Sequence, residues 1–162
     1  MIPTLSSRLI AVLLLAICTV SLAVAFFVEH VVGLRPCELC LTQRIPFAVG
    51  GALAGLALLP PAARLRRLLL TVAALGFLVN SAIAVYHSGV ERKWWASSCA
   101  PTESAAVDVT DLMAAMSRPV EVRCDEPAWQ WNGITIATLN IVFSGGLGLV
   151  ALALIRRMER KP

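Results

Sequence analysis

The sequence contains few charged residues. Only 15% of its 162 residues are Asp, Glu, Lys or Arg, whereas 58% are hydrophobic and the mean hydropathy is +0.78. Because a soluble domain carries about a quarter charged residues, this composition excludes a water-soluble globule. The apolar content also excludes intrinsic disorder, and the lack of a Gly-X-Y repeat excludes a collagen-like fold.

The apolar residues fall into four long runs. At about 1.5 Å per residue, each run is long enough to cross a hydrocarbon core of about 30 Å. We therefore predict an all-α membrane protein: a single integral membrane domain over residues 1–162, folded as a four-transmembrane-helix bundle. The predicted spans are residues 9–28, 41–59, 68–87 and 134–155. Loops 29–40 and 88–133, the latter long and between helices 3 and 4, lie on one side, and residues 1–8, 60–67 and 156–162 lie on the other.

The basic residues indicate orientation, since they form no single stripe that would favour nucleic acid. The side with both termini carries eight basic residues and one acid, whereas the other side carries six basic residues and nine acids. The positive-inside rule then predicts cytoplasmic termini and outward-facing loops 29–40 and 88–133. An alternative is that the first run is a signal peptide cleaved after Ala23-Val24-Ala25, which would leave the placement of these loops unchanged.

Four of the five cysteines lie in the outward loops: Cys37, Cys40, Cys99 and Cys124. Cys18 lies in the middle of the first span, where we expect it to act as a small buried hydrophobe. Outside the cytoplasmic membrane, paired thiols persist as disulfides. Two pairs are also the minimum for passing a disulfide from one pair to another.

Cys37 and Cys40 form a Cys-x-x-Cys motif just before the second span. This arrangement at a helix start lowers a thiolate pKa and favours thiol exchange. Two structural disulfides are an alternative, and closing the loop between Cys99 and Cys124 would contribute on the order of 3 kcal/mol. A zinc site is a third possibility, although the second pair lacks Cys-x-x-Cys spacing and His30 is the only imidazole nearby in sequence.

Arg44 lies one helical turn after Cys40. We expect the second helix to begin near Leu41, with Pro46 in or just after its first turn, so that Arg44 lies at the membrane edge on the same face as the Cys40 sulfur. One interpretation is a snorkelling interfacial arginine. The other is a fixed cation that stabilises negative charge on a lipid-soluble electron acceptor.

The long loop has the composition of a membrane-interface segment. All four tryptophans lie within it or at its edges. An apolar stripe at helical spacing predicts a short helix that is either a surface anchor or a small packed helix; it consists of Val109, Leu112, Met113 and Met116.

These residues resemble a known family. The segment 36–44, PCELCLTQR, is similar to the signature of the DsbB family of disulfide bond formation proteins. The likeness continues in YHSGVE at 86–91, in Trp94 and Trp95 ahead of Cys99, and in CDEPAW at 124–129, followed by Gly133 and Asn140. It extends over essentially the whole chain and includes the order and spacing of the cysteines.

The resemblance implies a multi-pass protein of the bacterial inner membrane, with its redox cysteines in the periplasm. It implies a protein-dithiol:quinone oxidoreductase that re-oxidises a DsbA-like, thioredoxin-fold thiol oxidase and so sustains disulfide formation in exported proteins. The implied electron acceptor is ubiquinone or menaquinone, and the implied partners are the DsbA-like protein, quinone and membrane lipid. Neither a metal nor a nucleic acid is expected.

The resemblance also implies a role for each cysteine of the two pairs. Cys99 would be attacked by the partner's thiolate, and Cys124 would be its loop partner. Cys37 would then exchange with Cys124, while Cys40 would face the quinone.

Two polar residues would assist this reaction. Arg44 would support the charge that moves onto the quinone, and His87 is a candidate proton donor or hydrogen-bond partner for it, or else an interfacial histidine with no role. Glu38 departs from the less polar residue expected inside the motif, and a carboxylate there should raise the neighbouring thiol pKa values. Two alternative functions are a conduit that reduces periplasmic disulfides, which would require redox cysteines reachable from the cytoplasm, and a non-catalytic membrane scaffold with two structural disulfides or a zinc clip.

Overall fold

A computed structural model describes residues 6–59, 62–96 and 122–159. Within these ranges the chain forms five helices and one short hairpin. In chain order they are α1 (Ser7–His30), α2 (Glu38–Thr42), α3 (Arg44–Leu56), α4 (Ala63–Glu91), β1 (Gln130–Trp131), β2 (Ile134–Thr135) and α5 (Ile136–Glu159).

Four helical segments of the described chain are long and apolar enough to cross a membrane. They are Ser7–His30, Glu38–Leu56 (α2 and α3 together), Ala63–Glu91 and Ile136–Met158. The predicted fold class, an all-α membrane protein with four transmembrane helices, is therefore confirmed. The predicted short helix at 109–116 lies outside the described residues.

The second span begins earlier than predicted. Its first helical residue is Glu38 rather than a residue near Leu41, because Cys37 caps the helix: the Cys37 sulfur accepts the backbone N–H of Cys40 at 3.4 Å. The helix is interrupted at Gln43, which separates α2 from α3. Pro46 falls in the first turn of α3, where proline is tolerated because those N–H groups have no helical partner.

The third span extends past its predicted end at His87 to Glu91. The extra turn is retained because Ser88, Gly89 and Val90 are buried rather than exposed in a loop. The loop predicted to begin at residue 88 therefore begins at Arg92.

The helices pack unevenly around the bundle. α4 packs most extensively against α5, while α3 packs against both α1 and α4. Gly50 permits the close approach of α3 to α4, because a Cβ atom there would lie 2.7 Å from the Phe77 ring. By contrast, α1 makes few contacts with α4 and α5, and a cleft opens between α1 and α5.

A hairpin leads into α5. Trp131 pairs with Ile134, and the turn residues Asn132 and Gly133 have φ values of 48° and 78°. Two successive residues with positive φ are typical of a type I′ turn, which glycine and asparagine favour. The hairpin holds Thr135 beside the outer end of α4, where its hydroxyl donates to Glu91 Oε2 at 2.5 Å.

Candidate active site

The two cysteines of the Cys-x-x-Cys motif lie together at the start of the second span. Their sulfurs are 3.1 Å apart and both thiols are free. A disulfide requires about 2.05 Å, so the two sulfurs need to approach by only about 1 Å to become bonded. The pair is therefore arranged to alternate between dithiol and disulfide.

His87 faces this pair from α4. Its Nε2 atom lies 3.6 Å from Cys37 Sγ and 3.8 Å from Glu91 Oε1. Both side chains are almost fully enclosed, with 4% of His87 and 6% of Glu91 exposed. A sulfur, an imidazole and a carboxylate thus meet in a space shielded from solvent, which suits proton transfer.

The environment of Cys37 favours its thiolate. Hydrogen bonding to the Cys40 thiol, together with the contact to His87 and the Cys40 N–H, lowers the pKa of Cys37 to about 4, although burial opposes this shift. Glu38 was expected to raise the thiol pKa values, but for Cys37 the direction is the opposite. Glu38 itself is exposed, whereas the groups that lower the Cys37 pKa contact its sulfur directly.

Buried amides hold His87 from the other side. Gln43 Nε2 lies 2.8 Å from His87 Nδ1, and Asn140 Nδ2 donates to Gln43 Oε1 at 2.5 Å. Gln43 occupies the break between α2 and α3, so its side chain points into the bundle beside the cysteines, where 6% of the residue is exposed.

Arg44 is paired with an acid from the first span. Its guanidinium contacts Glu29 Oε2 at 2.5 Å and lies over the Phe26 ring, 5.2 Å from the centroid. Their side chains are 18% and 26% exposed, respectively, so the pair lies at the edge of the bundle. The ion pair fixes the position of Arg44 but also neutralises much of its charge.

A large cavity of about 670 Å³ fills the cleft between α1 and α5. Its walls are mostly apolar, and the polar or charged side chains that line it together with Cys40 include Gln43, Arg44, His87, Glu91 and Asn140. Cys37 does not line this large cavity. The two sulfurs of the motif therefore have different surroundings.

Cys124 packs beside the motif. Cys37, Val90 and Cys124 form one buried cluster, against which Cys40 also packs. Cys124 is disulfide-bonded, whereas Cys99 lies outside the described residues. A small cavity of about 20 Å³ is bordered by Cys37, Cys40, His87 and Glu91, and its size suffices for one water molecule.

An ion pair between neighbouring residues holds the segment around Cys124. Arg123 donates to both carboxylate oxygens of Asp125, at 3.0 and 2.8 Å. This bidentate contact with Arg123 lowers the pKa of the Asp125 carboxyl, which remains ionised and paired.

Cys37, Cys40 and His87 offer the donor set of a metal site. One atom from each of these residues lies within 4.8 Å of the other two. Two sulfurs and a nitrogen are ligands that zinc accepts, although a structural site is completed by a fourth ligand.

The predicted site residues divide clearly. The structure brings together Cys37, Cys40, Cys124 and His87, and Arg44 lines the large cavity together with Cys40 and His87. The importance of Glu29, Gln43, Glu91 and Asn140 was not predicted. One signal for them was present: ionisable and amide side chains at the ends of apolar spans are costly to bury and therefore often functional.

Comparisons with known proteins match the same segments. The family model for "Disulfide bond formation protein DsbB" matches residues 7–154. The chain belongs to the DsbB family. Its relatives named Disulfide bond formation protein B include one from Marinobacter nauticus, 31% identical over 94% of both chains. Another, from Verminephrobacter eiseniae, is 32% identical over 94% of this chain and 88% of the relative. No solved structure gives a significant match.

DsbB membership fits the features described above. Four spanning helices make the chain a multi-pass membrane protein, and the relatives' name assigns them to disulfide bond formation. The close dithiol at Cys37 and Cys40 is the group expected of a disulfide-forming oxidoreductase.

Proposed function

We propose that this protein re-oxidises a periplasmic DsbA-like thiol oxidase by disulfide exchange and passes the electrons to a membrane quinone. One observation carries the proposal: Cys37 shares a buried cluster with Cys124, and Cys40 lines the large cavity. Electrons that enter at the loop pair can therefore reach the edge of the large cavity by disulfide exchange with the motif.

Orientation in the inner membrane follows from charge. The basic residues at the termini and at 60–67 favour the cytoplasm, and the acidic loops favour the periplasm. The four redox cysteines then lie on the oxidising side, where disulfides persist.

The large cavity suits a quinone in size and polarity. Ligand pockets have volumes of about 300–1,000 Å³, with mostly apolar walls and a few polar groups. Apolar side chains of α1 and α5 would hold an isoprenoid tail, while Arg44, His87 and Glu91 lie where polar ring oxygens would be held. A bound quinone would supply an acceptor for two electrons and two protons.

The exchange begins in the loop pair. The partner's thiolate attacks Cys99, the bond between Cys99 and Cys124 breaks, and Cys124 leaves as a thiolate. Cys124 then attacks Cys37 of an oxidised Cys37–Cys40 pair, and Cys40 leaves as a thiolate. The partner's second thiol releases Cys99, which attacks Cys124 and releases Cys37. The partner is now a disulfide, the loop pair is restored, and Cys37 and Cys40 hold two electrons.

The second half returns the motif to its disulfide. The Cys37–Cys40 bond forms as two electrons leave through Cys40, which borders the large cavity. The two thiol protons leave one after the other by way of the Glu91 carboxylate, which borders the small cavity together with Cys37 and Cys40. In net terms, one partner dithiol becomes a disulfide and one quinone becomes a quinol, so electrons and protons balance.

A coupled assay tests this function. Purified protein, a reduced DsbA-like protein and a short-chain ubiquinone should give quinone reduction, measured by ultraviolet absorbance. Cys37→Ser and Cys40→Ser should each abolish it, because either change prevents the motif from forming its disulfide. Cys18→Ala is the matched control, since Cys18 is buried in the helical core. Unchanged rates in both serine variants would refute the catalytic assignment.

A zinc-stapled scaffold is the second candidate, favoured by the grouping of Cys37, Cys40 and His87. Metal analysis of the purified protein separates the two functions. Stoichiometric zinc that is lost in His87→Ala would support the scaffold, whereas metal-free protein with full quinone reductase activity would exclude it.

A further inference from the structure

A chain of buried polar side chains runs from the middle of the bundle to Cys37. Asn80 Nδ2 donates to Ser144 Oγ at 2.9 Å, and Ser144 Oγ donates to Asn140 Oδ1 at 2.7 Å. Asn140 then donates to Gln43, whose amide faces His87. Asn80 lies seven residues before His87 on α4, about 10 Å deeper along the helix.

Every bond in this chain has the same direction. An amide nitrogen can only donate and an amide oxygen can only accept. Asn140 Nδ2 therefore assigns Oε1 of Gln43 as the acceptor, which leaves Gln43 Nε2 to donate to His87. His87 Nδ1 must accept that bond, so in the neutral ring the proton is on Nε2.

The Nε2 proton of His87 faces two possible acceptors. Nε2 faces Cys37 Sγ at 3.6 Å and Glu91 Oε1 at 3.8 Å. In the opposite tautomer, Nε2 would present a lone pair to the sulfur and the carboxylate. The orientation of amides deep in the bundle thus determines whether the imidazole stabilises a thiolate at Cys37.

Such a chain is unusual at this depth. Asn80 and Ser144 are fully enclosed, and Asn80 Oδ1 has no hydrogen-bond partner among the described residues. A buried polar atom that is left unpaired is destabilising. Asn80 Nδ2 is the first donor of the chain, and the unpaired Oδ1 atom does not set the direction of the bonds that follow.

We propose that Asn80, Ser144, Asn140 and Gln43 are positioning residues that hold His87 in the tautomer with its proton on Nε2, facing Cys37. The assignment of a catalytic use to that proton rests on the proposed function, but the tautomer itself does not. His30 provides an internal reference: its Nδ1 lies 3.0 Å from the Phe26 carbonyl, which can only accept, so His30 carries its proton on Nδ1.

The test is nitrogen NMR of the full-length, reduced protein labelled with ¹⁵N-histidine. The chain has two histidines, and His30→Gln assigns the spectrum. At a pH where both rings are neutral, we expect an unprotonated Nδ1 for His87 and a protonated Nδ1 for His30. A protonated Nδ1 on His87 in the parent protein would overturn the proposal.

Variants test the chain. In Gln43→Glu the carboxylate can only accept, so Nδ1 of His87 should become protonated. In Asn140→Leu the Gln43 amide is free to rotate, so His87 should show both tautomers. Ser144→Ala, which removes one oxygen, should also give both tautomers of His87, but with a smaller fraction protonated on Nδ1. The matched control is Ser81→Ala, because Ser81 donates to the Ile141 carbonyl outside the chain and should leave His87 unchanged.

The outcomes separate the two proposals. An unchanged His87 spectrum in Gln43→Glu and Asn140→Leu, with the thermal unfolding of the parent, would show that the chain is structural only. If His87 gives the predicted spectra but the parent protein does not reduce quinone, the proposed function is refuted and the positioning role is retained. If the parent protein gives the predicted spectra and also reduces quinone, Gln43→Glu should lower kcat for quinone reduction roughly 100-fold, which is the scale of a lost acid–base group.

Discussion

The Cys37 and Cys40 sulfurs lie 3.1 Å apart, yet only Cys40 borders the large cavity. Cys37 instead contacts His87 and lies in one buried cluster with Cys124. This asymmetry separates the two functions that a disulfide-transferring motif needs: one sulfur exchanges with the loop pair, and the other delivers electrons. The following predictions test this division.

The first prediction concerns the Cys37 thiolate. In a background with Cys18→Ala, Cys99→Ser and Cys124→Ser, we compare Cys40→Ser with Cys40→Ala, so that Cys37 is the only thiol. A hydroxyl still donates to the sulfur, whereas a methyl group does not. A thiol with a lowered pKa remains a thiolate above that value, so alkylation of Cys37 in Cys40→Ser should persist to acidic pH and fall only as the pH approaches the lowered pKa.

In Cys40→Ala the Cys37 pKa should move back towards its ordinary value of 9.0. Once that pKa exceeds 6, each further unit of increase lowers the thiolate fraction at pH 6 about tenfold. The measurement is the pH profile of the alkylation rate. Identical profiles in the two variants would contradict the assigned cause of the shift.

The second prediction concerns the route between the loop pair and the motif. A DsbA-like protein with a single active-site cysteine should form a mixed disulfide with Cys99, seen as a complex on a non-reducing gel. Cys37→Ser should reduce the amount of complex, because Cys124 then has no sulfur to attack and reverses the first step. Cys18→Ala should leave it unchanged. A complex that forms equally in Cys99→Ser would disprove the role of Cys99.

The third prediction concerns the Arg44–Glu29 pair. Arg44→Ala should lower kcat/KM for quinone roughly tenfold, because it removes a cation near the developing charge and leaves Glu29 unpaired beside the large cavity. Arg44→Lys should recover part of the loss, since it keeps the charge but not the planar contact over Phe26. Glu29→Gln should rescue Arg44→Ala only in part, because it removes the unpaired carboxylate but does not restore the cation. Additive losses in the double variant would show that the two residues act independently.

The fourth prediction concerns Glu91. Glu91→Gln retains the hydrogen bond from Thr135 but cannot take up a proton, so kcat for quinone reduction should fall about 100-fold. Formation of the mixed disulfide with the partner should not change. Glu126→Gln is the control, because Glu126 borders the same small cavity with 69% of its side chain exposed. Equal losses in the two variants would indicate a general electrostatic effect.

Much of the fold was predictable because it depends on composition over long windows. The four apolar runs and the charge imbalance of the loops are both visible in the sequence. The position of Cys37 and Cys40 at a helix start was likewise predicted, since it depends on residues only a few positions apart. The end of the third span was not, because burial by distant segments extended α4 to Glu91.

The polar half of the site was less predictable, because its contacts join different helices. Gln43 meets His87 and Asn140 only when α3, α4 and α5 have their observed rotations. Glu29 meets Arg44 across two separate spans. A single sequence provides the residue types and their approximate depth, but the rotation of each helix depends on packing, such as the contact of Gly50 with Phe77.

A single-turnover experiment tests the central claim most directly. Cys99→Ser/Cys124→Ser protein, reduced and freed of reductant, is mixed anaerobically with a short-chain ubiquinone, and quinol and free thiols are counted. We expect one quinol formed and one Cys37–Cys40 disulfide gained per protein, with none in the same protein carrying Cys40→Ser. Quinol formation that persists in Cys40→Ser, or thiols that stay reduced in the presence of quinone, would contradict electron transfer through this pair.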